Sequence, residues 1–481
     1  MIARVRVMGS ARNVRLQFVA ALFAAPTLGV VGGISAQEGA ADAHTPGSTF
    51  TLTDALELAE RHNPDIARAR NAVGAAGAGR LARRAAFLPG VTASTSFDVT
   101  RVRRFTTTDV FGDPTEREQA VQATTRGAQQ GVFLDVAIFD GGETLAGARA
   151  ANARYRSSQA AVEATLNHVR ADVTRAYCDL LERHRTVDVE RLILKARQRD
   201  VETTERLFRT VAADQIDVLG ARIEARRQEA ALATAEEAAE AARLELARVV
   251  GTGIDSGARL ETPSEPFHPD AQDVEALVRG ALASHPEIRE LAADLDAAEV
   301  ETWNDGWLAY LPRVAATASY RRSEVGGTEQ PLLELDPRDT ATSFGLQLTL
   351  PLFDRFARRV ARAQASSAAA DAREALRARR LAVEGEVRSR FLDLKAAWRE
   401  LQVENETAAM ARERVDLARR KYEIGAIDFI RLQEAVDGAT AAERSLVRRR
   451  FDYHRAMAEL ERAAGRSIVP AAGEGAEPDT P

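Results

Sequence analysis

The sequence contains an internal duplication, and this feature constrains the fold more than any other. Four pairs of positions share an offset of 214 residues: Phe139 and Phe353, Phe208 and Tyr422, Asp214 and Asp428, Gly251 and Gly465. Two earlier matches have offsets of 222 and 223: Asn63-Pro64 with His285-Pro286, and Leu88-Pro89 with Leu311-Pro312. The change in offset places an insertion between Val91 and Phe139. Because a repeat dictates architecture, we expect two copies of one unit, residues 37–252 and 271–466, joined by a proline-containing linker at 253–270.

Each half carries a very long helical pattern. Apolar residues recur every seven positions at Leu166, Val173, Leu180, Val187, Leu194, Val201 and Phe208, and in the second half at Val387, Leu394, Leu401, Ala408, Val415 and Tyr422. A seven-residue repeat of this length is typical of coiled coils. At about 1.5 Å per residue, such a helix extends on the order of 100 Å, which no compact globular domain accommodates. We predict helices at 142–208, 215–250, 356–422 and 429–465.

Stretches next to these helices alternate apolar with small polar residues, which is the pattern of β-strands. Four strands are predicted, at 88–102, 124–139, 311–322 and 340–353. Their lengths are near the roughly 9–11 residues with which a strand crosses a bilayer. Four strands cannot close a barrel, and an open edge in lipid would leave backbone groups unpaired. The strands are therefore expected to form a soluble sheet or to join those of other copies, giving eight strands from two copies or twelve from three.

Composition and the N-terminus limit the class of protein. Charged residues make up 28% of the chain, the net charge is −6, and Cys178 is the single cysteine. These values exclude a polytopic helical membrane protein and a disulfide scaffold, and they argue against a nucleic-acid-binding protein. Four arginines precede the apolar stretch Leu16–Val31, which predicts a secretory signal peptide at 1–36, with an uncleaved anchor helix as the alternative. Residues 467–481 are expected to form a disordered tail.

The motifs, taken in order, resemble the TolC-like outer-membrane efflux proteins. Asn-Pro-Asp-Ile or His-Pro-Glu-Ile, Leu-Pro, Phe-Asp, a heptad helix and an aromatic residue before a turn occur twice within residues 50–466. The resemblance implies a mainly α fold with a β-barrel portion, in which a homotrimer forms a twelve-stranded transmembrane barrel on a long periplasmic barrel of coiled-coil helices. It also implies a Gram-negative outer-membrane location. The expected partners are outer-membrane lipid, a periplasmic adaptor (membrane fusion) protein and an inner-membrane transporter, together with which the channel serves as the exit duct of a tripartite pump.

The same resemblance assigns the two interhelical turns, 210–214 and 423–428, to the periplasmic tip that the adaptor contacts. The residues expected in this contact are Val211, Ala212, Ala213, Gly425, Ala426 and Ile427. Gly425 matches a glycine that the family commonly has at this turn, whereas the first half departs from the pattern with Val211. Helix connections with Asp214 and Asp428 as N-caps are the structural alternative, and the two roles are compatible.

Charged residues at the start of the returning helices are the expected gate. The candidates are Asp214, Asp217, Asp428, Arg431 and Glu434. In the family, three copies bring acidic residues together into a ring. Arg431 occupies the position equivalent to Asp217, so a pair between Asp217 and Arg431 is an alternative to the ring. Solvated charges on an exposed helix face are the structural alternative to both.

Two further regions have expected places relative to the membrane. The polar segments 103–123 and 323–340 join paired strands and are expected to be extracellular loops. Trp303, Trp307 and Tyr310 precede a strand. The resemblance puts them near the inner bilayer surface, where aromatic side chains favour the interface; a small core cluster is the alternative.

Motifs that carry chemistry are missing from the sequence. It contains neither a His-Glu-x-x-His pair nor a Gly-x-Ser-x-Gly elbow, so we predict no catalytic residues, no metal site and no cofactor. Drug or small-molecule efflux is favoured over type I protein secretion, although the same duct serves both. A secreted periplasmic coiled-coil adaptor or scaffold without a pore is the alternative from another class of protein.

Overall fold

The computed structural model describes residues 49–108, 111, 114–210, 214–255, 259–262, 265–306, 308–326 and 338–468. The signal peptide predicted at 1–36 lies outside these residues, as does all but the first two residues of the tail predicted at 467–481.

The described chain shows nearly the same order of elements twice. The first set is β1 Thr49–Phe50, α1 Leu52–His62, α2 Pro64–Ala85, β2 Gly90–Thr108, β3 Pro114–Phe139, α3 Glu143–Arg209 and α4 Gln215–Val250. The second set is β4 Arg259–Leu260, α5 Val274–Ser284, α6 Pro286–Asn304, β5 Arg313–Gly326, β6 Asp339–Thr349, α7 Ala357–Glu423 and α8 Phe429–Ala464. The long helices α3 and α7 have 67 residues each, and the returning helices α4 and α8 have 36 each. Equal lengths are what a duplicated unit produces.

Repeated local chemistry produces the helix breaks. Pro64 is the first residue of α2, where a missing N–H costs nothing. The side chain of Asn63 caps this helix by accepting the N–H of Asp65 at 2.8 Å, and it donates to the carbonyl of Val249 at 2.7 Å. In the second set, His285 and Pro286 occupy these positions, but the side chain of His285 makes no capping hydrogen bond. In the first half, Asn63 thus connects the short entry helix to the returning helix.

The junctions between strand and long helix require a left-handed backbone in both halves. In the first half Gly141 and Gly142 supply it, with φ of 75° and 91°. At the equivalent positions in the second half, Arg355 and Phe356 have φ of 55° and 66°. A side chain in this conformation is disfavoured by roughly 1–2 kcal/mol, so the second junction is strained where the first is not.

The core lies between each long helix and the shorter helices beside it. In the second half Val387, Leu394 and Leu401 of α7 pack with Tyr453, Met457 and Leu460 of α8. In the first half Val173 and Leu180 of α3 pack with Leu246 and Val250 of α4. Each fully buried aliphatic side chain stabilises the fold by roughly 1.5–3 kcal/mol. The apolar heptads are therefore the main cohesive element of these helix pairs.

β2, β3, β5 and β6 form one antiparallel sheet in that order. Its register places Val132 of β3 opposite both Ala93 of β2 and Tyr320 of β5, while Tyr320 lies opposite Thr342 of β6. Within one chain, β2 and β6 are the edges of this sheet. Such edges present unpaired N–H and C=O groups that favour pairing with another chain.

The two faces of the sheet differ in chemistry. We call one the apolar face; it carries Val91, Val99, Val132, Leu134, Ala318, Tyr320, Phe344, Leu346 and Leu348. Phe344 is 83% exposed and Leu346 is 72% exposed in the single chain. The opposite, polar face carries mainly Thr92, Ser94, Ser96, Asp98, Thr317, Ser319, Ser343 and Gln347. A continuous exposed apolar surface marks contact with a membrane or a protein.

The strands differ from the predicted bounds at their far ends. β2 continues to Thr108 and β3 begins at Pro114, so most of the loop expected at 103–123 is paired strand. Both faces of this extension are largely polar in sequence, so alternation of hydrophobicity could not reveal it. β6 ends at Thr349, before Pro351, whose missing N–H cannot continue a ladder. None of the helices in the described part of the chain combines the length and the apolar character needed to cross a membrane.

Candidate gate and docking tip

The turn between α7 and α8 closes with two backbone hydrogen bonds around a left-handed glycine. Gly425 has a φ of 71°, and its N–H donates to the carbonyl of Tyr422 at 3.0 Å. The N–H of Ala426 donates to the carbonyl of Lys421 at 2.8 Å. This pair of bonds is the Schellman motif, which satisfies carbonyls at a helix C-terminus. Gly425 and Ala426 are exposed, and Ile427 is half-buried; the equivalent residues Val211, Ala212 and Ala213 lie outside the described residues.

The acidic residues at the starts of the returning helices act as caps. The Asp428 carboxylate accepts the N–H of Arg431 at 2.9 Å. At the start of α4 the backbone N–H of Asp214 donates to the carboxylate of Asp217 at 3.4 Å. The capping alternative therefore has direct geometric support at both turns, while Asp214 and Asp428 stay exposed.

The contacts among the expected gate residues are capping hydrogen bonds to backbone N–H groups. Arg431 and Glu434 are exposed and Asp217 is half-buried, and the described residues contain no ion pair between Asp217 and Arg431.

Directly above the turns, the four long helices share an apolar cluster. We call it the tip core; its buried members are Ala221, Val415, Ala418, Tyr422, Phe429, Leu432, Ala435 and Val436. The ring centroids of Tyr422 and Phe429 lie 6.0 Å apart. A Cβ on Gly220 would lie 3.2 Å from the Phe429 ring, so the glycine permits close packing of α4 on α8. The tip is thus a packed four-helix structure.

Above the tip core, α3 presents a buried row of polar side chains to the second half of the chain. We call it the polar seam; it consists of Glu190, Arg197, Asp200 and Thr204. Glu190 accepts hydrogen bonds from Arg444 of α8 at 2.6 and 2.8 Å. The side-chain amide of Gln228 on α4 donates to the same carboxylate and, at 3.2 Å, to the Glu190 carbonyl.

Arg197 provides the second connection of the polar seam. Its side chain is only 5% exposed, and its guanidinium donates to Gln433 and to Asp437 of α8. Because a buried guanidinium requires compensating acceptors, this contact fixes α8 against α3 at one height.

Asp200 and Thr204 connect the polar seam to α7. Asp200 lies 3.5 Å from Arg419. Burial raises the pKa of the Asp200 carboxyl, and the charges of Arg419 and Arg197 offset this only in part. The hydroxyl of Tyr422 donates to Thr204 at 3.4 Å. Burial likewise raises the pKa of the Tyr422 phenol, so this hydroxyl remains a donor at neutral pH.

The carboxylate of Glu190 remains charged despite its burial. Burial raises its pKa, but the hydrogen bonds from Arg444 and Gln228 outweigh that effect, so the pKa lies below its ordinary value. Charge-assisted, bidentate contacts of this kind are the stronger hydrogen bonds of proteins. The polar seam thus holds the two helical hairpins together through charged and polar contacts.

A comparison with protein families identifies the architecture. The family model described as outer membrane efflux protein matches residues 55–252 and 277–466, which include both helical hairpins and the whole sheet. The chain belongs to the outer membrane efflux protein family. The resemblance stated from the sequence motifs is thereby confirmed.

Individual relatives of this outer membrane efflux protein agree with that assignment. Protein CyaE of Bordetella pertussis is 26% identical over 352 residues, which cover 72% of this chain and 70% of the relative. A membrane protein from Pseudomonas aeruginosa has a similar structure, with a TM-score of 0.70, 21% identity and coverage of 86% of this chain and 93% of the other. The outer membrane protein VceC of Vibrio cholerae gives a TM-score of 0.68, 17% identity and coverage of 86% and 96%.

Family membership settles several expectations. This outer membrane efflux protein is located in the Gram-negative outer membrane and extends into the periplasm. Its fold is that of the TolC-like channels, a mainly helical chain of two tandem repeats that share one sheet. The family consists of channels, which work as trimers with adaptors and inner-membrane transporters, and not of enzymes. The pore-free adaptor considered from the sequence does not fit this family.

Proposed function

We propose that this protein is the outer-membrane exit duct of a tripartite pump, and that it passively conducts small molecules exported by an inner-membrane transporter through a periplasmic adaptor. One observation carries the proposal: a single chain joins a sheet with a continuous exposed apolar face to two helices of 67 residues. The apolar face suits lipid, and the polar face suits a water-filled lumen. Helices on the order of 100 Å long extend the duct deep into the periplasm.

The polar face explains passive conduction. Its side chains are mostly short hydroxyls and amides, with Asp98, Asp135 and Asp339 as acids and Arg321 above the ring of Phe133 at 5.8 Å. Such a wall hydrates a passing molecule without binding it tightly. Pairing of β6 in one copy with β2 in the next would satisfy both open edges and close this wall around the lumen.

The gate in this proposal consists of the turn residues and the polar seam. Asp217, Arg431 and Glu434 would meet their counterparts from neighbouring copies, either as a carboxylate ring or as Asp217–Arg431 pairs. The polar seam holds α3 against α8 inside each copy. Opening would require α4 and α8 to move outward, so contacts of both kinds would have to break.

The adaptor in this proposal contacts the two turns. Gly425 and Ala426 expose backbone and small side chains at the end of the α7–α8 hairpin, and Val211, Ala212 and Ala213 occupy the equivalent sequence positions. Small residues allow close approach of a partner helix hairpin. The caps formed by Asp214 and Asp428 would hold these turns in shape for docking.

Transport in cells tests the cargo. A strain that lacks its own exit duct is supplied with this protein and its cognate adaptor and transporter, and intracellular accumulation of a fluorescent dye is measured. We expect accumulation to fall relative to a strain without the gene. Unchanged dye accumulation, together with a transporter-dependent polypeptide in the culture supernatant, would instead assign the duct to protein secretion.

Conductance in planar bilayers tests the gate residues. The purified trimer should show low conductance, and the variants Asp217→Ala and Arg431→Ala should show higher conductance. If both variants conduct as the parent does, these residues are not the gate. A rise in conductance in Asp217→Ala alone would favour the carboxylate ring. Equal rises in both single variants, with no further rise in the double variant Asp217→Ala/Arg431→Ala, would favour the pair.

A further inference from the structure

Arginines follow the apolar face at the end of the sheet that lies farthest from the helices. We call them the arginine band: Arg101 and Arg103 on β2, Arg126 on β3, Arg322 on β5 and Arg338 directly before β6. All five occupy positions of the apolar face by strand alternation, since Arg126 is opposite Val99 and Arg322 is opposite Gln130. Arg101, Arg103 and Arg338 are exposed.

Aromatic residues mark the boundary directly below the arginine band. Phe97 and Tyr320 lie four and two residues before Arg101 and Arg322 on their strands, and each is 47% exposed in the single chain. Aromatic side chains favour the level of the lipid headgroups in transmembrane barrels. The arginines therefore begin where the hydrocarbon ends.

A second set of exposed aromatic residues lies at the opposite end of the sheet, next to the helices. Its members are Phe87, Phe139, Tyr310 and Phe353. On β3, residues 128 to 139 extend about 37 Å along the strand, or about 28 Å in height at a tilt of about 40°. This height matches the roughly 30 Å of a bilayer core. Since the helices are periplasmic, the arginine band lies at the outer leaflet.

We propose that the arginine band binds phosphate groups on the headgroups of outer-leaflet glycolipids. Guanidinium groups match phosphate oxygens in bidentate geometry, and they attract an anionic lipid surface. Glu324 is the one acid among the described side chains of this part of the apolar face, beside the three arginines Arg101, Arg103 and Arg322. The arginines point toward lipid, whereas Arg321 of the same strand belongs to the polar face.

The position of the arginine band and its charge together indicate which lipid it binds. The apolar residues below the band take up acyl chains, and the arginines meet the first polar groups above them. A lipid that carries phosphate directly on its headgroup presents both parts in this order. The band would fix the height of the barrel in the membrane and retain such lipids around the trimer.

Lipid titration of the purified trimer tests this binding. Diphosphorylated lipid A is added in detergent, and bound lipid per trimer is counted by native mass spectrometry. In the variant R101Q/R103Q/R322Q we expect the affinity to fall by about a hundredfold, because each of the three arginines near an anionic lipid surface contributes about fivefold. R321Q, whose arginine is on the polar face, should bind as the parent does.

Two comparisons separate charge from shape. The variant R101K/R103K/R322K keeps the charge and should retain most of the binding, and lipid A without its phosphates should bind the parent as weakly as it binds the glutamine variant. The single variants R101Q and R322Q give the same comparison if the triple variant does not assemble. Equal binding of lipid A to the parent and the glutamine variants, or of the dephosphorylated lipid to the parent, would overturn the proposal.

Discussion

The carboxylate of Glu190 in α3 accepts two hydrogen bonds, at 2.6 and 2.8 Å, from the guanidinium of Arg444 in α8. The two residues are 254 positions apart and belong to different halves of the duplicated chain. Glu190 is buried, whereas Arg444 is partly exposed. Arg197, seven residues nearer the tip on the same helix, also contacts α8. The α3–α4 hairpin is therefore attached to the α7–α8 hairpin at this level by polar contacts.

Glu190→Gln should weaken that attachment. The substitution keeps the shape but removes the charge that balances Arg444, and we expect a loss of about 1–3 kcal/mol in the free energy of unfolding. Thermal dissociation of the trimer, followed by gel electrophoresis without boiling, measures the effect. The double variant E190Q/R444Q should recover part of the loss, because no unpaired charge remains. A double variant less stable than the sum of both single variants would contradict this account.

Arg197→Gln should make the channel leak. Loss of the contacts with Gln433 and Asp437 removes about 1.4 kcal/mol from the closed arrangement, which raises the ratio of open to closed channels about tenfold. Conductance in planar bilayers and sensitivity of cells to a large antibiotic both report this change. The matched control is Arg191→Gln, on the same helix, whose arginine is exposed and pairs with Glu236 at 2.8 Å within its own hairpin. A leak of equal size in both variants would show that the polar seam does not hold the gate.

Much of the fold could be predicted from the sequence, because long periodic patterns have few structural solutions. The heptads require long helices, and alternation in the strands requires a sheet with two unlike faces. Apolar heptads do not predict the polar seam, because its members are polar. Toward the tip the buried side of α3 shifts from Val187 to Glu190 and Arg197, while Phe208 becomes 45% exposed. The seven-residue spacing of Glu190, Arg197 and Thr204 was the available signal.

The turns illustrate a different limit of sequence reasoning. A glycine between two helices indicates a left-handed residue, and Gly425 has this conformation. Asp214 and Asp217, three residues apart, are equally the signature of a capping box and of a charged gate. Within one chain the carboxylate of Asp217 accepts the N–H of Asp214. A gate depends on neighbouring copies, and their placement is not encoded in a local pattern.

His168→Gln should remove a pH-dependent contribution to stability. His168 of α3 lies 2.9 Å from the carboxylate of Glu287 in α6, and this hydrogen bond raises the pKa of His168 above 6.5. A raised pKa means that the contribution is present below the unfolded value of about 6.5 and disappears as the pH rises through the folded value. The free energy of unfolding of the parent should therefore exceed that of the variant at pH 6 and differ little from it at pH 9. Because His168 is half exposed, we expect the difference at pH 6 to be only a few tenths of a kcal/mol to about 1 kcal/mol.

Thermal dissociation of both proteins between pH 6 and pH 9 measures the difference. Burial lowers the pKa of His184, His285 and His454, and these groups oppose folding as the pH falls. His184 and His454 titrate alike in parent and variant and cancel in the comparison, whereas the charge of His168 adds to the lowering of the pKa of His285 and offsets a small part of the difference. A difference that is constant with pH would show that His168 contributes packing and not charge.

Gly425→Ala should strain the docking turn. A Cβ at this position meets no atom within 4 Å, so the cost comes from the φ of 71° and not from a clash. We expect a loss of about 1 kcal/mol in stability and weaker binding of the adaptor.

The matched control is Gly438→Ala in the interior of α8, where a Cβ also meets no atom within 4 Å. This variant should be more stable than the parent by about 0.5–1 kcal/mol, because alanine favours the helix. Adaptor affinity measured by biolayer interferometry should fall for Gly425→Ala only, and an equal fall in both variants would remove the turn from the docking site.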